Sequence, residues 1–295
     1  MKYKSGAAFR RALEERLRQQ SLEGGQSLVR LRKMVAFDRF LARLADKESE
    51  VWIVKGGLAL QLRLGTRART TKDIDVSAIN RWTREETAAH LRAVASLTLG
   101  DWFEFEVGAP AEAATGAPGQ GLRFPIHCLL DGRRFENFHL DVGHGDPVLD
   151  APDLVSGPNF LAFADIASAT VRCYPLTTQI AEKLHAYTRS YASGETSRAR
   201  DLVDILLAAS LEQFNSKKLR QAIDATFQAR ATHAIPGEIP KPPRRISTSY
   251  RQLARDMDLS WPTIEEGAEA AAQFLNPVLV GKAHPRWDPI TWRWT

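Results

Sequence analysis

VWIVKGGLALQLRLGTRARTTKDIDV, residues 51–76, decides how the rest of the chain is read. VWIVKGG (51–57) is a short apolar run ending in paired glycines, which predicts a buried strand and a tight turn. LALQLRL (58–64) follows as a short helix, and GTRARTTK (65–72) as a basic loop. DIDVSAI (73–79) then alternates like a strand. In a strand the side-chain period is two, so Asp73 and Asp75 project from one face while Ile74 and Val76 face a core.

Working outward, residues 6–22 and 27–45 read as amphipathic helices, the second with Leu28, Leu31, Met34, Val35, Leu41 and Leu44 at helical spacing. Thr83 and Glu86 form a capping-box pair that opens a helix running to about Leu97. WFEFEV (102–107) is a strand and APAEAATGAPGQG (109–121) a flexible loop. Two further strands, LRFPIHCLL and RFENFHLDVG, flank Asp131-Gly132, a two-residue hairpin signal. From Thr177 the pattern turns helical: TTQIAEKLHAYTRSY, SRARDLVDILLAAS and NSKKLRQAIDATFQARA. IPGEIPKPP (235–243) breaks the chain, two more helical stretches follow, and HPRWDPITWRWT ends it as an aromatic, irregular tail. The expected fold is α+β: a lobe with a mixed sheet over residues 1–165, then a helical lobe over 166–295 that completes a cleft.

The composition is globular: 295 residues, 44% hydrophobic and 25% charged, which excludes disorder. No apolar run approaches the roughly 20 residues of a membrane span, and the N-terminal segment is too charged for a signal peptide. Two cysteines, Cys128 and Cys173, exclude a disulfide framework and a cysteine zinc site. A soluble, cytoplasmic protein is expected. The net charge of +5 is mild, but Arg63, Arg67, Arg69 and Lys72 crowd one stretch, and Lys241, Arg244, Arg245, Arg251 and Arg255 another.

Two carboxylates forced onto one strand face repel unless a cation lies between them, and hard oxygen ligands suit Mg²⁺. Alone, the Asp73–Asp75 pair reads as a solvated strand face. Three neighbours change that. Gly56 and Gly57 let backbone approach a phosphate at a helix N-terminus. Asp141 lies in the apolar strand FHLDVG, where an unpaired charge is costly; it is a third site carboxylate, the partner of a nearby Arg or a loop-end residue. Arg69, Thr70 and Thr71 put charge and hydroxyls just before Asp73, where a polyphosphate would lie. Other constellations are weaker. His139 and His144 flank Asp141 without a third ligand at metal spacing, no G-x-S-x-G occurs, and Trp287, Trp292 and Trp294 read as a packed tail or as base-stacking surfaces.

Strand, GG, helix, D-h-D strand and a later strand with a third Asp resemble the DNA polymerase beta-like nucleotidyltransferase superfamily. The fuller KGGLALQLRLGTRARTTKDIDV resembles the AbiEii toxin family, which includes the MenT toxins. QIAEKLHA (179–186) is similar to its E-K-x-x-A helix and SRARDLVDI (197–205) to its R-x-K-D-x-x-D-L helix, with Arg200 where the family usually has Lys. The resemblance spans residues 52–205; the last 90 residues match no motif. It implies a polymerase beta-like lobe with two Mg²⁺ ions on Asp73 and Asp75, Asp141 on the ion that activates the attacking hydroxyl, and pyrophosphate as leaving group. Lys183 would reach the triphosphate, and Asp201 is carried over as a site residue; Asp204 reads as structural. Gly56, Gly57, Arg69 and Thr71 complete the nucleotide-binding set.

The function expected is transfer of a nucleoside monophosphate from an NTP to RNA, at the 3′ end of tRNA. The resemblance adds an AbiEi-type antitoxin partner and a role in toxin–antitoxin or phage-defence systems. A protein or small-molecule acceptor, and a non-catalytic RNA-binding module, are the alternatives.

Overall fold

The computed structural model describes residues 2–48, 50–112, 121–144, 148–189 and 198–295. The part of the predicted 109–121 loop from 113 to 120, and Ser197 of the 197–205 motif, lie outside the described residues. The chain divides into two compact units. The first takes 1–65, 70–145 and 153–173; the second takes 66–69, 146–152 and 174–295. The first unit thus runs past the boundary read near 165, because the strand at 170–173 pairs into its sheet.

The first unit opens with helices α1 (Gly6–Gly24) and α2 (Leu28–Glu48). Strand β1 (Trp52–Lys55) passes straight into α3 (Gly56–Leu64), so the paired glycines are the first residues of the helix and no separate turn intervenes. Gly56 alone makes the change of direction, at φ +65°. Then come β2 (Ile74–Ala78), α4 (Arg84–Ala95), β3 (Phe103–Val107), β4 (Ala111–Glu112), β5 (Gly121–Leu130), β6 (Arg133–His144), β7 (Asp153–Ser156) and β8 (Thr170–Cys173). The expected capping box at Thr83 and Glu86 is formed in both directions.

These strands build one mixed sheet in the order β3-β5-β6-β2-β1-β8-β7, with β4 beside β5. The β2–β6 and β1–β8 pairs are parallel, and the rest are antiparallel. Asp131 and Gly132 join β5 to β6 with φ +55° and +66°, the two positive values a type I′ turn requires. Ile74, Val76, Phe124, Ile126, Phe138 and Leu140 are buried on one face. Helix α2 packs there through edge-on aromatic contacts: Phe37 and Phe40 meet Phe138 at 5.0 and 5.7 Å between ring centroids. Two arginines are buried in α2, and Arg43 is satisfied by Asp101 at 2.8 Å and by the Phe103 carbonyl at 2.6 Å.

The second unit is helical: α5 (Leu176–Thr188), α6 (Arg198–Ala209), α7 (Ser216–Arg230), α8 (Ser247–Asp256) and α9 (Ile264–Leu279). Of the residues of α6, only Arg200 is exposed, so α6 is its central helix. The tail forms a small ribbon from β9 (Trp287–Asp288) and β10 (Arg293–Trp294). The indole N–H groups of Trp287, Trp292 and Trp294 donate to the carbonyls of Ala209, Ala270 and Phe274 at 2.9, 3.0 and 2.8 Å. With their polar ends satisfied inside the unit, these tryptophans are packing residues.

Candidate active site

The sheet sets the acidic residues side by side. Asp75 of β2 lies opposite Asp141 of β6 in the parallel register, and opposite Lys55 of β1 in the antiparallel one. Asp141 in turn lies opposite Arg123 of β5. A single row across four strands therefore reads Lys55, Asp75, Asp141, Arg123. Asp73 stands one residue ahead of β2 rather than inside it, and both Asp73 and Asp75 are half-buried beside the fully buried Ile74 and Val76. The expected shared face is present.

Arg123 closes the row at one end. Its Nε donates to Asp141 Oδ1 at 2.7 Å and its Nη2 to Asp141 Oδ2 at 2.6 Å, a forked pair; Nη2 also reaches Asp73 Oδ2 at 3.4 Å. The hydrogen bonds to Asp141 raise the Arg123 pKa above its ordinary value, outweighing the opposing effect of burial. Asp141 is thus partnered by a nearby arginine, one of its expected environments. His139 adds a contact from Nδ1 to Asp73 Oδ1 at 3.4 Å. Thr71 is buried, and its hydroxyl donates to the Asp73 carbonyl at 3.3 Å, bracing the entry to β2.

Gly56 is required here for a reason that concerns Asp75. A Cβ on Gly56 would lie 2.4 Å from Asp75 Oδ2, so the carboxylate occupies the space a side chain would take. The left-handed backbone at this residue adds a second reason for glycine.

The second unit carries the other predicted residues, and each is tied into a buried ion network. Lys183 of α5 contacts Asp204 Oδ2 at 2.8 Å and Asp201 Oδ1 at 3.4 Å. Arg69 holds Asp204 with two bonds, Nε to Oδ1 at 2.8 Å and Nη2 to Oδ2 at 2.9 Å. Arg198 pairs with Asp201 at 3.1 Å, whereas Arg200 is exposed. Burial alone would raise the Asp204 pKa, but Lys183 and Arg69 bring it down to about 2. Burial likewise works to lower the Lys183 pKa, and Asp204 and Asp201 together push it above the ordinary lysine value. The basic stretch 63–72 is therefore not one cationic patch, since Arg63 is taken by Asp153 at 2.6 Å and Arg69 by Asp204.

Asp73, Asp75 and Asp141 are hard oxygen donors of the kind Mg²⁺ takes. As the site stands, each Asp141 oxygen accepts an N–H from Arg123, so an ion at Asp141 would share that carboxylate with a guanidinium or displace it. Among the described residues no three His, Cys, Asp or Glu side chains group to hold a metal ion. Four residues to which the sequence reading gave no site role shape these clusters: Arg123, Lys55, Arg198 and His139. The alternation of Arg123 and Pro125 with buried Phe124 and Ile126 was the available signal for the first.

Residues 39–290 match the family model of the nucleotidyl transferase AbiEii toxin of type IV toxin–antitoxin systems. No curated protein matches the chain. Among solved structures, MenT4, a nucleotidyltransferase toxin from Mycobacterium tuberculosis H37Rv, is similar at 18% identity and a TM-score of 0.55, covering 91% of this chain and 98% of that one. ANT(2'')-Ia in complex with adenylyl-2''-tobramycin matches at 18% identity and a TM-score of 0.35, over 66% of this chain and 97% of that one. Among the described residues no helix is long and apolar enough to cross a membrane.

Proposed function

The chain belongs to the AbiEii nucleotidyl transferase toxin family, and from that premise we propose that it transfers a nucleoside monophosphate from an NTP to RNA, at the 3′ end of tRNA, which blocks translation. The observation that carries the reading is the row of Asp75 beside Asp141, with Asp73 next to it, on one sheet face. In the reaction an acceptor hydroxyl oxygen bonds to the α-phosphorus, the bond to the β-phosphate bridge breaks, pyrophosphate leaves and the hydroxyl proton passes to solvent. We assign Asp73, Asp75 and Asp141 to Mg²⁺, which when bound would neutralise phosphate charge and stabilise the attacking and leaving oxygens.

Gly56 keeps Asp75 in place, and Thr71 keeps Asp73 in place. Gly57 and the start of α3 are assigned to the nucleotide phosphates. Lys183 is assigned to the triphosphate and Asp201 to the site as a partner of Lys183, through the family motifs they carry; the geometry supports Arg69 as the residue that orders Asp204. The type IV toxin–antitoxin family supports an antitoxin partner, proposed here as AbiEi-type.

The test is incubation of the protein with total RNA and each labelled NTP in turn, followed by sequencing of tRNA 3′ ends. Label is expected in tRNA, and Asp73→Ala and Asp75→Ala are expected to abolish it while leaving the fold intact. Label entering protein or a small molecule instead would exclude RNA as the acceptor.

A further inference from the structure

The carboxylate row carries a cation of its own making. Three acids, Asp73, Asp75 and Asp141, share one face of the sheet, and such a group repels itself unless it is neutralised. In the structure the neutralising charge comes from the chain: Arg123 grips Asp141 through both oxygens and reaches Asp73 as well. A forked guanidinium–carboxylate pair takes one lone pair on each carboxylate oxygen and sets a positive charge where a divalent ion would approach. The arginine is about one-third exposed and stands on β5, so its head can leave the acids while its backbone stays paired in the sheet.

We propose that Arg123 is a built-in counter-ion that occupies the carboxylate row in the absence of a divalent cation, and that the cation binds Asp141 only as Arg123 withdraws. The inference rests on the nucleotidyl-transfer reading of the same row. Arg123 therefore sets the affinity of the row for metal. It keeps the three acids from destabilising the empty sheet, and it makes loading of the site a competition between two cations.

An ordinary supporting role gives the opposite sign. If Arg123 merely orients Asp141 as a ligand, its loss should weaken metal binding, by about 10–100-fold for a typical outer partner. If it competes, its loss should tighten binding. The experiment is a titration of the full chain with Mn²⁺, without nucleotide, following free Mn²⁺ by electron paramagnetic resonance. Arg123→Gln is expected to bind Mn²⁺ more tightly than wild type, on the order of tenfold or more. Arg123→Lys, which keeps the charge but loses the fork, should fall between them and covers the case in which Arg123→Gln fails to fold. Equal or weaker Mn²⁺ affinity in folded Arg123→Gln, or in folded Arg123→Lys if the first is unfolded, overturns the counter-ion role and leaves the transfer reading intact. If none of the three proteins binds Mn²⁺, with or without a non-hydrolysable NTP analogue, the row is not a cation site and both readings fall.

Discussion

Gly56 shows how one atom can govern the site. Its backbone sits at φ +65°, and a methyl group there would overlap the Asp75 carboxylate at 2.4 Å. Gly56→Ala is expected to destabilise the fold by roughly 1–2 kcal/mol from the left-handed backbone alone, and to displace Asp75. Chemical denaturation and a transfer assay on the same variant check both parts: activity should vanish although the protein remains folded. Asp204 is the residue-scale case in the second unit. It is buried between the half-buried Lys183 and Arg69 and held to a pKa of about 2, so removing its charge takes the shared partner from two largely desolvated cations. Asp204→Asn is expected to cost about 3–5 kcal/mol in urea unfolding. Asp201→Asn should cost less, because Lys183 and Arg69 keep Asp204. A loss below 1 kcal/mol for Asp204→Asn would remove it as the centre of the network.

At the scale of elements, α5 and α7 enclose a histidine that cannot easily charge. His185 is buried, its Nε2 bonded to the Thr232 hydroxyl at 2.8 Å, with Thr232 and Thr188 in turn bonded to His233. Burial, with Arg230, His233, Arg189 and Arg198 nearby, lowers its pKa to about 4. The unfolded chain, with histidine near 6.5, takes up that proton more readily than the folded one. Stability is therefore complete above about pH 6.5 and is lost progressively as pH falls toward 4, by up to about 3 kcal/mol. His185→Gln, which does not titrate, should flatten this slope in denaturation curves taken at pH 7.5 and pH 5. His233, also lowered by burial, will retain a smaller part of it. An unchanged slope would place the acid sensitivity elsewhere.

For the whole molecule the open quantity is the acceptor. The net charge of +5 is too small to draw nucleic acid by itself, but Lys241, Arg244, Arg245, Arg251 and Arg255 are all exposed, around the turn Arg244–Ile246 and along α8. If they hold RNA, the affinity for tRNA should fall with salt at a log–log slope of about −0.7 per phosphate contact in single strands. Arg244→Ala with Arg245→Ala should weaken tRNA binding and flatten the slope while leaving NTP binding unchanged. Filter binding at four salt concentrations measures both. A salt-independent affinity would exclude RNA as the acceptor class.

Much of this architecture is written locally. The period-two alternation of DIDV, the Asp131-Gly132 turn, the Thr83–Glu86 capping box and the helical run after Thr177 depend only on neighbours in the chain, and each takes the expected form. What local pattern leaves open is which residue stands opposite which. Counted back from the two-residue turn, Arg123 would face Leu140 and lie away from the acids. The structure instead shifts the pairing by one at a bulge between Cys128 and Leu129, where β6 carries Phe135 as an extra residue. A one-residue shift sends every later side chain to the other face of the sheet, and so brings Arg123 onto Asp141. The second partner of Asp204 was hidden for a similar reason: Arg69 lies 135 residues away, and only the burial of α6 forces each charge to find another. The sequence by itself determined most of the elements, though not β4, β7, β8 or the tail ribbon, and the acids they carry; the tertiary structure decided which cation each acid holds, because register and burial arise only when distant segments pack.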